Sequence, residues 1–186
     1  TIRPHFLFNQ LNNVSAFLNQ ELIEQAQEYL SDLGQFLRSL LEEQDDQTIE
    51  LGSVEKQLRA YIALQKKGSY AHVEVTIDIP KALRKVRIPT GLFQPLVENS
   101  FKYAGHEGRK APTIQIEARR TASELTLKVE DSGYGEHSRQ GGTGHGLALI
   151  QDRIAFNRSR SKRPKDWTVT TSFQKEKGTV VMTMPL

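Results

Sequence analysis

The chain has 186 residues, with 25 lysines and arginines against 22 aspartates and glutamates, and it contains no cysteine. This length suffices for one large domain or for a small and a medium one, and the missing cysteine excludes disulfides and thiolate metal sites. Much of the net charge of +3 lies in RSRSKRPK, Arg158–Lys165. We interpret that run as a solvated loop, with a nucleic-acid contact as the alternative.

The first residues suggest a piece of a longer protein. The chain begins at Thr1 rather than at Met, inside RPHFLFNQLNN, which looks like the middle of a motif. No signal peptide is visible, and no apolar stretch approaches the roughly 20 residues of a bilayer-spanning helix. We therefore expect this segment to make no membrane contact of its own.

The N-terminal part predicts a helical hairpin from Phe6 to about Glu43. Apolar residues recur there at helical spacing: Leu7, Leu11, Val14 and Leu18, then Leu22, Ala26, Leu30, Leu33, Leu37 and Leu40. A break is expected near Asn19–Glu21, with Asn19 as a possible N-cap. Because a lone hairpin cannot bury both stripes, we predict a partner chain and a four-helix bundle. The alternative is that the hairpin packs on its own domain.

The remainder predicts an α+β layer. We expect a polar linker at Glu42–Ser53 and a helix over Val54–Gln65 with Ser53 as its cap. Alternating apolar residues predict strands that contain Val73–Ile79, Ile114–Ala118, Leu125–Val129, Val169–Phe173 and Gly178–Leu186. Helices are expected over Gly91–Ala104 and Leu147–Phe156. These elements predict a mostly antiparallel sheet with helices on one face.

The helix over Gly91–Ala104 carries two residues suited to a nucleotide site. Asn99 and Lys102 lie three residues apart and so share a helix face. An amide oxygen can ligate Mg²⁺, which takes one or two protein ligands besides phosphates and waters, and an ammonium group can neutralise phosphate charge. Taken alone, this pair is more typical of a solvated polar face.

A second group of candidates surrounds Asp131, which ends a predicted strand before a turn that contains Gly133 and Gly135. A carboxylate there can accept a hydrogen bond from an exocyclic amine such as that of adenine, and glycines let the backbone approach a flat ring. The run Gly141–Gly146 leads into the next helix, where backbone N–H groups can bind phosphate oxygens. Each feature alone also fits a plain turn or a flexible connection. Their order along the chain favours a nucleotide site.

His5 lies at the start of the first predicted helix. It precedes Asn9 by four residues, so the two positions share a face. A histidine in such a place is usually structural or simply on the surface. Histidine can also serve as a covalent nucleophile, provided that its imidazole is exposed and a donor is brought to it.

Together these segments resemble sensor histidine kinases of the LytS type. PHFLFNQLNN is similar to NPHFLFNTLN, and QPLVENSFKYAG is similar to QPLVENAIKHG. DSGYG resembles DNGxG, GTGHGLALIQDRI resembles GxGxGLxNxxxRL, and GTVVMTMPL resembles the terminal strand. The similarity runs from Arg3 to Leu186.

The resemblance implies two domains. Residues 1–50 would form a dimerising hairpin that bears the phosphoaccepting histidine, and residues 51–186 would form an ATP-binding domain of the Bergerat (GHKL) fold. By position, it implies that His5 accepts the phosphoryl group, that Asn99 ligates Mg²⁺ and that Lys102 contacts phosphate.

The resemblance also implies roles around the base and over the phosphates. Asp131 would hold adenine, with Gly133 and Gly135 shaping that pocket. Gly144 and Gly146 would serve the lid that faces the phosphates. In the last strand, Thr179 would support adenine through water.

The chain departs from the family pattern at several places. Arg3 stands where Asn is frequent, Ser132 replaces the Asn of DNG, and Leu149 replaces the Asn of GLxN. Gly68 and Ser69 stand where an Arg-Phe pair usually follows the linker helix, and Pro95 stands where a glutamate is familiar. ATP binding is still expected, whereas the level of kinase activity is left open.

Two functions of different classes follow. The leading one is an ATP-dependent protein-histidine kinase of a two-component system, a homodimer that autophosphorylates on His5 and passes the phosphoryl group to an aspartate of a response regulator. The alternative is a non-catalytic, nucleotide-binding sensor or scaffold that signals by conformation. A chaperone- or repair-type ATPase is less favoured, because it gives the PHFLFN hairpin no role. The resemblance implies that this segment is cytoplasmic and that the full-length protein is anchored in the inner (plasma) membrane.

Overall fold

A computed structural model describes residues 4–42, 47–104, 112–132, 145–160, 167–174 and 177–186. Its N-terminal part is a helical hairpin, with α1 spanning Pro4–Asn19 and α2 spanning Ile23–Glu42. The chain reverses between them at Glu21, whose φ of 59° is in the left-handed region. The predicted break is therefore confirmed. Asn19 is the last residue of α1 and does not cap α2, because α2 begins only at Ile23.

The predicted polar linker contains regular structure. Strand β1, Thr48–Glu50, pairs antiparallel with β3, Arg87–Pro89, and Ile49 lies opposite Ile88. A 3-10 helix, Lys81–Leu83, precedes β3. The sequence pattern missed β1 and β3 because three residues are too few to display an alternation.

Helix α3, Leu51–Lys67, begins earlier than predicted, and Ser53 does not cap it. The N-cap position belongs to Glu50, whose side chain makes no capping hydrogen bond. Instead, the backbone N–H groups of Leu51 and Gly52 donate to the carbonyl oxygens of Val86 and Arg84, at 2.8 and 2.9 Å. These bonds satisfy groups that a side-chain cap would otherwise serve.

The C-terminal part is a five-stranded sheet with the order β2-β4-β5-β7-β6. The strands are β2 Glu74–Asp78, β4 Thr113–Arg120, β5 Glu124–Asp131, β6 Thr168–Gln174 and β7 Lys177–Pro185. Strands β2 and β4 are parallel, and the other neighbours are antiparallel. Helices α4, Phe93–Ala104, and α5, His145–Arg160, pack against the sheet. This arrangement confirms the predicted α+β class.

The core lies between the sheet and these helices. Alternate strand residues point to one face, and the buried ones include Ile114, Ile116, Leu125, Leu127, Val129, Met182 and Met184. From α4 they meet Leu96, Val97 and Phe101 in one continuous cluster. The interleaved residues Thr126, Lys128 and Glu130 lie on the opposite face of the sheet.

The hairpin divides its apolar residues between two faces. One face is buried within the chain and includes Phe6, Val14, Ala26, Tyr29, Leu33 and Phe36. It packs on α3, where Phe36 and Tyr61 have ring centroids 5.7 Å apart. The other face keeps Phe8, Leu11, Leu18, Ile23, Leu30 and Leu41 exposed. One face of the hairpin therefore packs on the chain's own domain. Among the described residues, nothing buries the other face.

Two acidic residues of α2 also tie the hairpin to α3. The ammonium of Lys67 lies 2.7 Å from Glu28 and 2.6 Å from Asp32. Hydrogen bonds from Lys67 to Asp32 and Glu28 raise its pKa above the usual value.

Among the helices that the structure describes, none combines the length and the apolarity needed to cross a membrane.

Candidate functional site

The base end of the candidate site is a buried pair of polar side chains. Asp131 is the last residue of β5 and is only 7% exposed, and Ser100 on α4 is 4% exposed. The Ser100 hydroxyl donates a hydrogen bond of 3.2 Å to Oδ2 of Asp131. A hydroxyl that donates to a carboxylate helps to hold its charge and orientation in a buried place. The arrangement suits recognition of an amine by the carboxylate.

The register of the sheet explains why Asp131 faces the helices. Asp131 is paired with Ile114 on one side and with Gly178 on the other, and paired residues share a face. Its neighbour Glu130 therefore points to the opposite side of the sheet. The predicted strand end at Asp131 is confirmed.

Thr179 is not brought together with Asp131. It is paired with Glu130, and its hydroxyl lies 3.4 Å from Oε2 of that residue. Glu130 also binds Lys128 at 2.8 Å and Lys177 at 2.7 Å. Burial alone would raise the pKa of Glu130, but hydrogen bonds from these lysines and their charges lower it below its usual value. The role of Thr179 at the adenine stays a prediction, and this placement does not support it.

The phosphate end of the candidate site is a cavity of about 370 Å³ that α4 shares with α1. Asn99 and Lys102 line it from α4, and Asn9, Asn12 and Asn13 line it from α1. The pair predicted on one face of α4 thus does face one space, but α1 forms the opposite wall. The side chain of Glu98, which also lines this cavity, accepts a 2.9 Å hydrogen bond from Gln94.

The residues of this cavity fit a magnesium nucleotide. Within the described part of the chain, no three His, Cys, Asp or Glu side chains are grouped so as to hold a metal alone. An ion here would need phosphate oxygens and water besides the amide oxygen of Asn99, which is the coordination that Mg²⁺ favours. Lys102 would meet the remaining phosphate charge.

Four glycines and His5 complete the predicted set. His5 lies in the first turn of α1, with its side chain outside the described part, and Gly146 lies in the first turn of α5. Gly133, Gly135 and Gly144 fall outside the described residues. Their predicted roles therefore stay predictions.

Aromatic side chains hold α1 against the rest of the chain. The ring of Phe6 lies 5.6 Å from that of Tyr61 on α3, and Tyr61 lies 5.8 Å from Phe101 on α4. Such ring pairs contribute roughly 0.5–1.5 kcal/mol beyond the area that they bury. They connect the helix that begins next to His5 with the helix that carries Asn99.

A polar network lies beside these rings. The hydroxyl of Tyr29 donates to Oε1 of Gln10 and accepts a 2.9 Å hydrogen bond from Nδ2 of Asn13. Burial raises the pKa of the Tyr29 hydroxyl, and the bond from Asn13 partly opposes that. The hydroxyl of Ser69 lies 3.4 Å from Oδ1 of Asn13. Asn13 thus joins both helices of the hairpin to the end of α3.

Sequence reasoning did not single out Ser100, Gly68 or Tyr61. The sequence does carry a signal for Ser100. This residue replaces the Ala that follows the Asn in QPLVENAIKHG, and a hydroxyl at a buried position needs a hydrogen-bond partner. Gly68 was seen only as a departure, whereas a Cβ at that position would lie 2.4 Å from Nδ2 of Asn13. The pairing of Tyr61 with Phe6 and Phe101 involves three helices and has no local signature.

Comparison with known proteins shows similarity to histidine kinases. A profile described as histidine kinase matches residues 1–69. The sensor protein LytS of Staphylococcus haemolyticus is 37% identical over 134 residues, which are 72% of this chain and 23% of that protein. This chain belongs to the LytS-type sensor histidine kinases. The sensor histidine kinase BtsS of Escherichia coli K12 is 29% identical over 153 residues, or 82% of this chain and 27% of that protein.

The fold of this histidine kinase chain is shared with solved structures. The histidine kinase AdeS of Acinetobacter baumannii superposes with a TM-score of 0.52 at 20% identity, over 97% of each chain. A helical part followed by a mixed α/β sheet is common to both, as predicted. The chain spans about a quarter of the length of the curated relatives it matches, 23% and 27%.

Proposed function

We propose that this chain is the catalytic part of an ATP-dependent protein-histidine kinase of a two-component system, which autophosphorylates on His5. One observation carries this proposal: Asn99 and Lys102 line the same cavity as Asn9 and Asn12 of α1, the helix that begins around His5. A phosphate-binding face and an acceptor helix thus share one space. The buried Asp131 contacts another side of the same turn of α4, through Ser100, which directly follows Asn99.

Each described side chain has a task in the reaction. Asp131, oriented by Ser100, accepts a hydrogen bond from the exocyclic amine of adenine. Asn99 offers its amide oxygen to Mg²⁺, and Lys102 neutralises charge on the phosphates. Bound Mg²⁺ supplies charge neutralisation on the phosphate oxygens. Positioning and electrostatics provide most of the catalysis in phosphoryl transfer.

His5 acts as the nucleophile. The lone pair of its unprotonated imidazole nitrogen attacks the γ-phosphorus of ATP, and an N–P bond forms as the bond from phosphorus to the β,γ-bridging oxygen breaks. ADP leaves with that electron pair, and the proton on the other ring nitrogen is released to solvent. A carboxylate oxygen of an aspartate on a response regulator then attacks the phosphorus. An O–P bond forms as the N–P bond breaks, and the imidazole nitrogen of His5 leaves with the electron pair.

The functional unit is a homodimer joined through the exposed face of the hairpin. Phe8, Leu11 and Leu30 on this face are all exposed. Large apolar side chains exposed together on one face of a hairpin favour an interaction site. Light scattering should give about twice the monomer mass, since an isologous contact pairs one surface with itself. A chain that stays monomeric at high micromolar concentration contradicts this part of the proposal. This unit works at the cytoplasmic side of a membrane that holds the rest of the protein.

Labelling with γ-³²P-ATP tests the kinase. The parent should acquire acid-labile, alkali-stable label, as a phosphoramidate does, and His5→Gln should abolish it. His72→Gln, at an exposed position away from the cavity, is the matched control and should label like the parent. ATP with Mg²⁺ should raise the melting temperature of all three proteins by mass action.

Two results would contradict the proposal in different ways. Label that persists in His5→Gln assigns the acceptor to another residue. A parent that is stabilised by ATP but acquires no label favours the alternative of a nucleotide-binding scaffold.

A further inference from the structure

We propose that each His5 is phosphorylated by the ATP site of its own chain, so that transfer occurs within one subunit of the dimer. This inference rests on the proposed kinase function and specifies which of the two histidines is the substrate. Either assignment is compatible with the sequence, because both subunits carry the same residues. The route of transfer depends on whether the α1 helix that faces Asn99 and Lys102 belongs to the same subunit or to the partner.

In the folded chain, that helix is the chain's own α1. At about 100° per residue, position 5 falls between Asn12 and Asn9 on the helical wheel, and both of these line the cavity. Position 5 is about 6 Å from Asn9 along the helix axis. The arc of α1 that faces Asn99 and Lys102 therefore includes the acceptor position.

Buried packing keeps α1 in this place. Phe6, the next residue after His5, is only 6% exposed and lies 5.7 Å from the ring of Phe36 and 5.6 Å from that of Tyr61. A partner's α1 could enter the cavity only if this Phe6 were first withdrawn from both rings. Withdrawing a large buried aromatic side chain is among the more costly local changes in a protein.

A close backbone approach adds to this docking. Gly68, at the end of α3, leaves just enough room for the side chain of Asn13, whose Nδ2 atom would be 2.4 Å from a Cβ at that position. Ser69 contacts Oδ1 of the same side chain. These contacts involve the segment where the chain departs from the family pattern, so they are a property of this sequence.

The proposed dimer contact is compatible with transfer inside each subunit. Phe8, Leu11 and Leu18 lie on a different arc of α1 from the one that faces the cavity. A dimer built on this exposed face leaves both α1 helices in their own clefts. Dimerisation and phosphoryl transfer thus use different sides of one helix.

Mixed dimers of differently tagged chains test the inference. The first pairs His5→Gln with Asn99→Ala, so that one subunit lacks the acceptor and the other lacks the amide oxygen proposed to ligate Mg²⁺. Transfer within a subunit predicts no label in this dimer. The second, a matched control, pairs the parent with the doubly substituted chain and should carry about half of the label of the parent homodimer.

The opposite pattern, with label in the first mixed dimer and none in the second, overturns the inference and establishes transfer between subunits. Equal labelling of both mixed dimers also overturns it, because both routes would then operate. The homodimers separate this failure from that of the kinase function. If the parent homodimer acquires no label, or if homodimeric His5→Gln still does, the proposed function itself fails and the inference fails with it.

Discussion

The two ends of the candidate site are built in different ways. At the base end, Asp131 and Ser100 are both buried, and they come from a central strand and from the helix packed on it. At the phosphate end, Asn99 is half-buried and Lys102 is exposed, and the opposite wall belongs to the hairpin. The described residues of the base end all belong to the α/β layer, whereas the phosphate end also includes residues of α1.

Because of this difference, we expect nucleotide binding and phosphoryl transfer to His5 to respond to different substitutions. Changes within the α/β layer should alter the affinity for nucleotide, and changes in the docking of α1 should alter labelling of His5 while ATP still binds. Under the proposed function, ATP can bind without reacting whenever α1 is displaced from the cavity. The following predictions test the separation, beginning with the largest expected effect.

Phe6→Ala should cost roughly 3–5 kcal/mol in unfolding free energy, because it removes a buried ring that contacts Phe36 and Tyr61. Labelling of His5 should fall at least about tenfold as α1 leaves the cleft, whereas ATP affinity changes little. Denaturant unfolding, ³²P labelling and calorimetric titration measure these effects. Phe8→Ala is the control, since Phe8 is 65% exposed, and it should weaken the dimer instead. Equal costs for the two variants would contradict the assignment of the two faces.

Asp131→Asn should weaken ATP binding by roughly 10- to 100-fold, which corresponds to the loss of a charged hydrogen bond of about 1.5–3 kcal/mol. Glu130→Gln is the matched control, because this neighbouring carboxylate lies on the other face of β5. It should leave the affinity for ATP unchanged. Calorimetric titration with Mg-ATP measures both variants. A loss of affinity in the control that equals the loss in Asp131→Asn would show that the face of the sheet does not matter.

Gly68→Ala should lower labelling of His5 and cost about 0.5–1.5 kcal/mol in stability, because the new methyl group displaces the Asn13 side chain from its hydrogen bonds. In an Asn13→Ala background the same change should cost nothing, since the displaced atoms are gone. This cycle isolates the contact between the two positions. Gly68→Ala should leave the ATP affinity unchanged in either background, because Gly68 does not line the cavity. A cost that persists without Asn13 would disprove the contact as its cause.

Ser100→Ala should have the smallest effect, raising the Kd for ATP by roughly 2- to 10-fold, because a neutral hydroxyl contributes about 0.5–1.5 kcal/mol. Binding of GTP, which lacks the exocyclic amine at that ring position, should change less. Ser159→Ala, on the exposed side of α5, is the control and should leave both affinities unchanged. An equal loss for ATP and GTP would assign Ser100 a role in stability only.

Much of the secondary structure could be predicted from the sequence, and particular segments show why. The stretch of Leu125, Leu127 and Val129 alternates over a full strand, so β5 and its end at Asp131 were correctly predicted. The stretch at Thr48–Glu50 is too short for a period to be visible, and its pairing partner lies 39 residues away along the chain. The start of α3 was misplaced because its first N–H groups are satisfied by distant carbonyls.

The sequence by itself determined which chemical groups this protein carries: an amide and an ammonium on one helix face, a carboxylate at a strand end, and a histidine at the start of a helix. Local spacing suffices for this, because helix and strand periods are properties of a single segment. Only the tertiary structure decided that Ser100 meets Asp131, that Thr179 turns away from it, and that α1 faces Asn99. Those relations depend on strand register and on packing between helices distant in the chain, which no local pattern records.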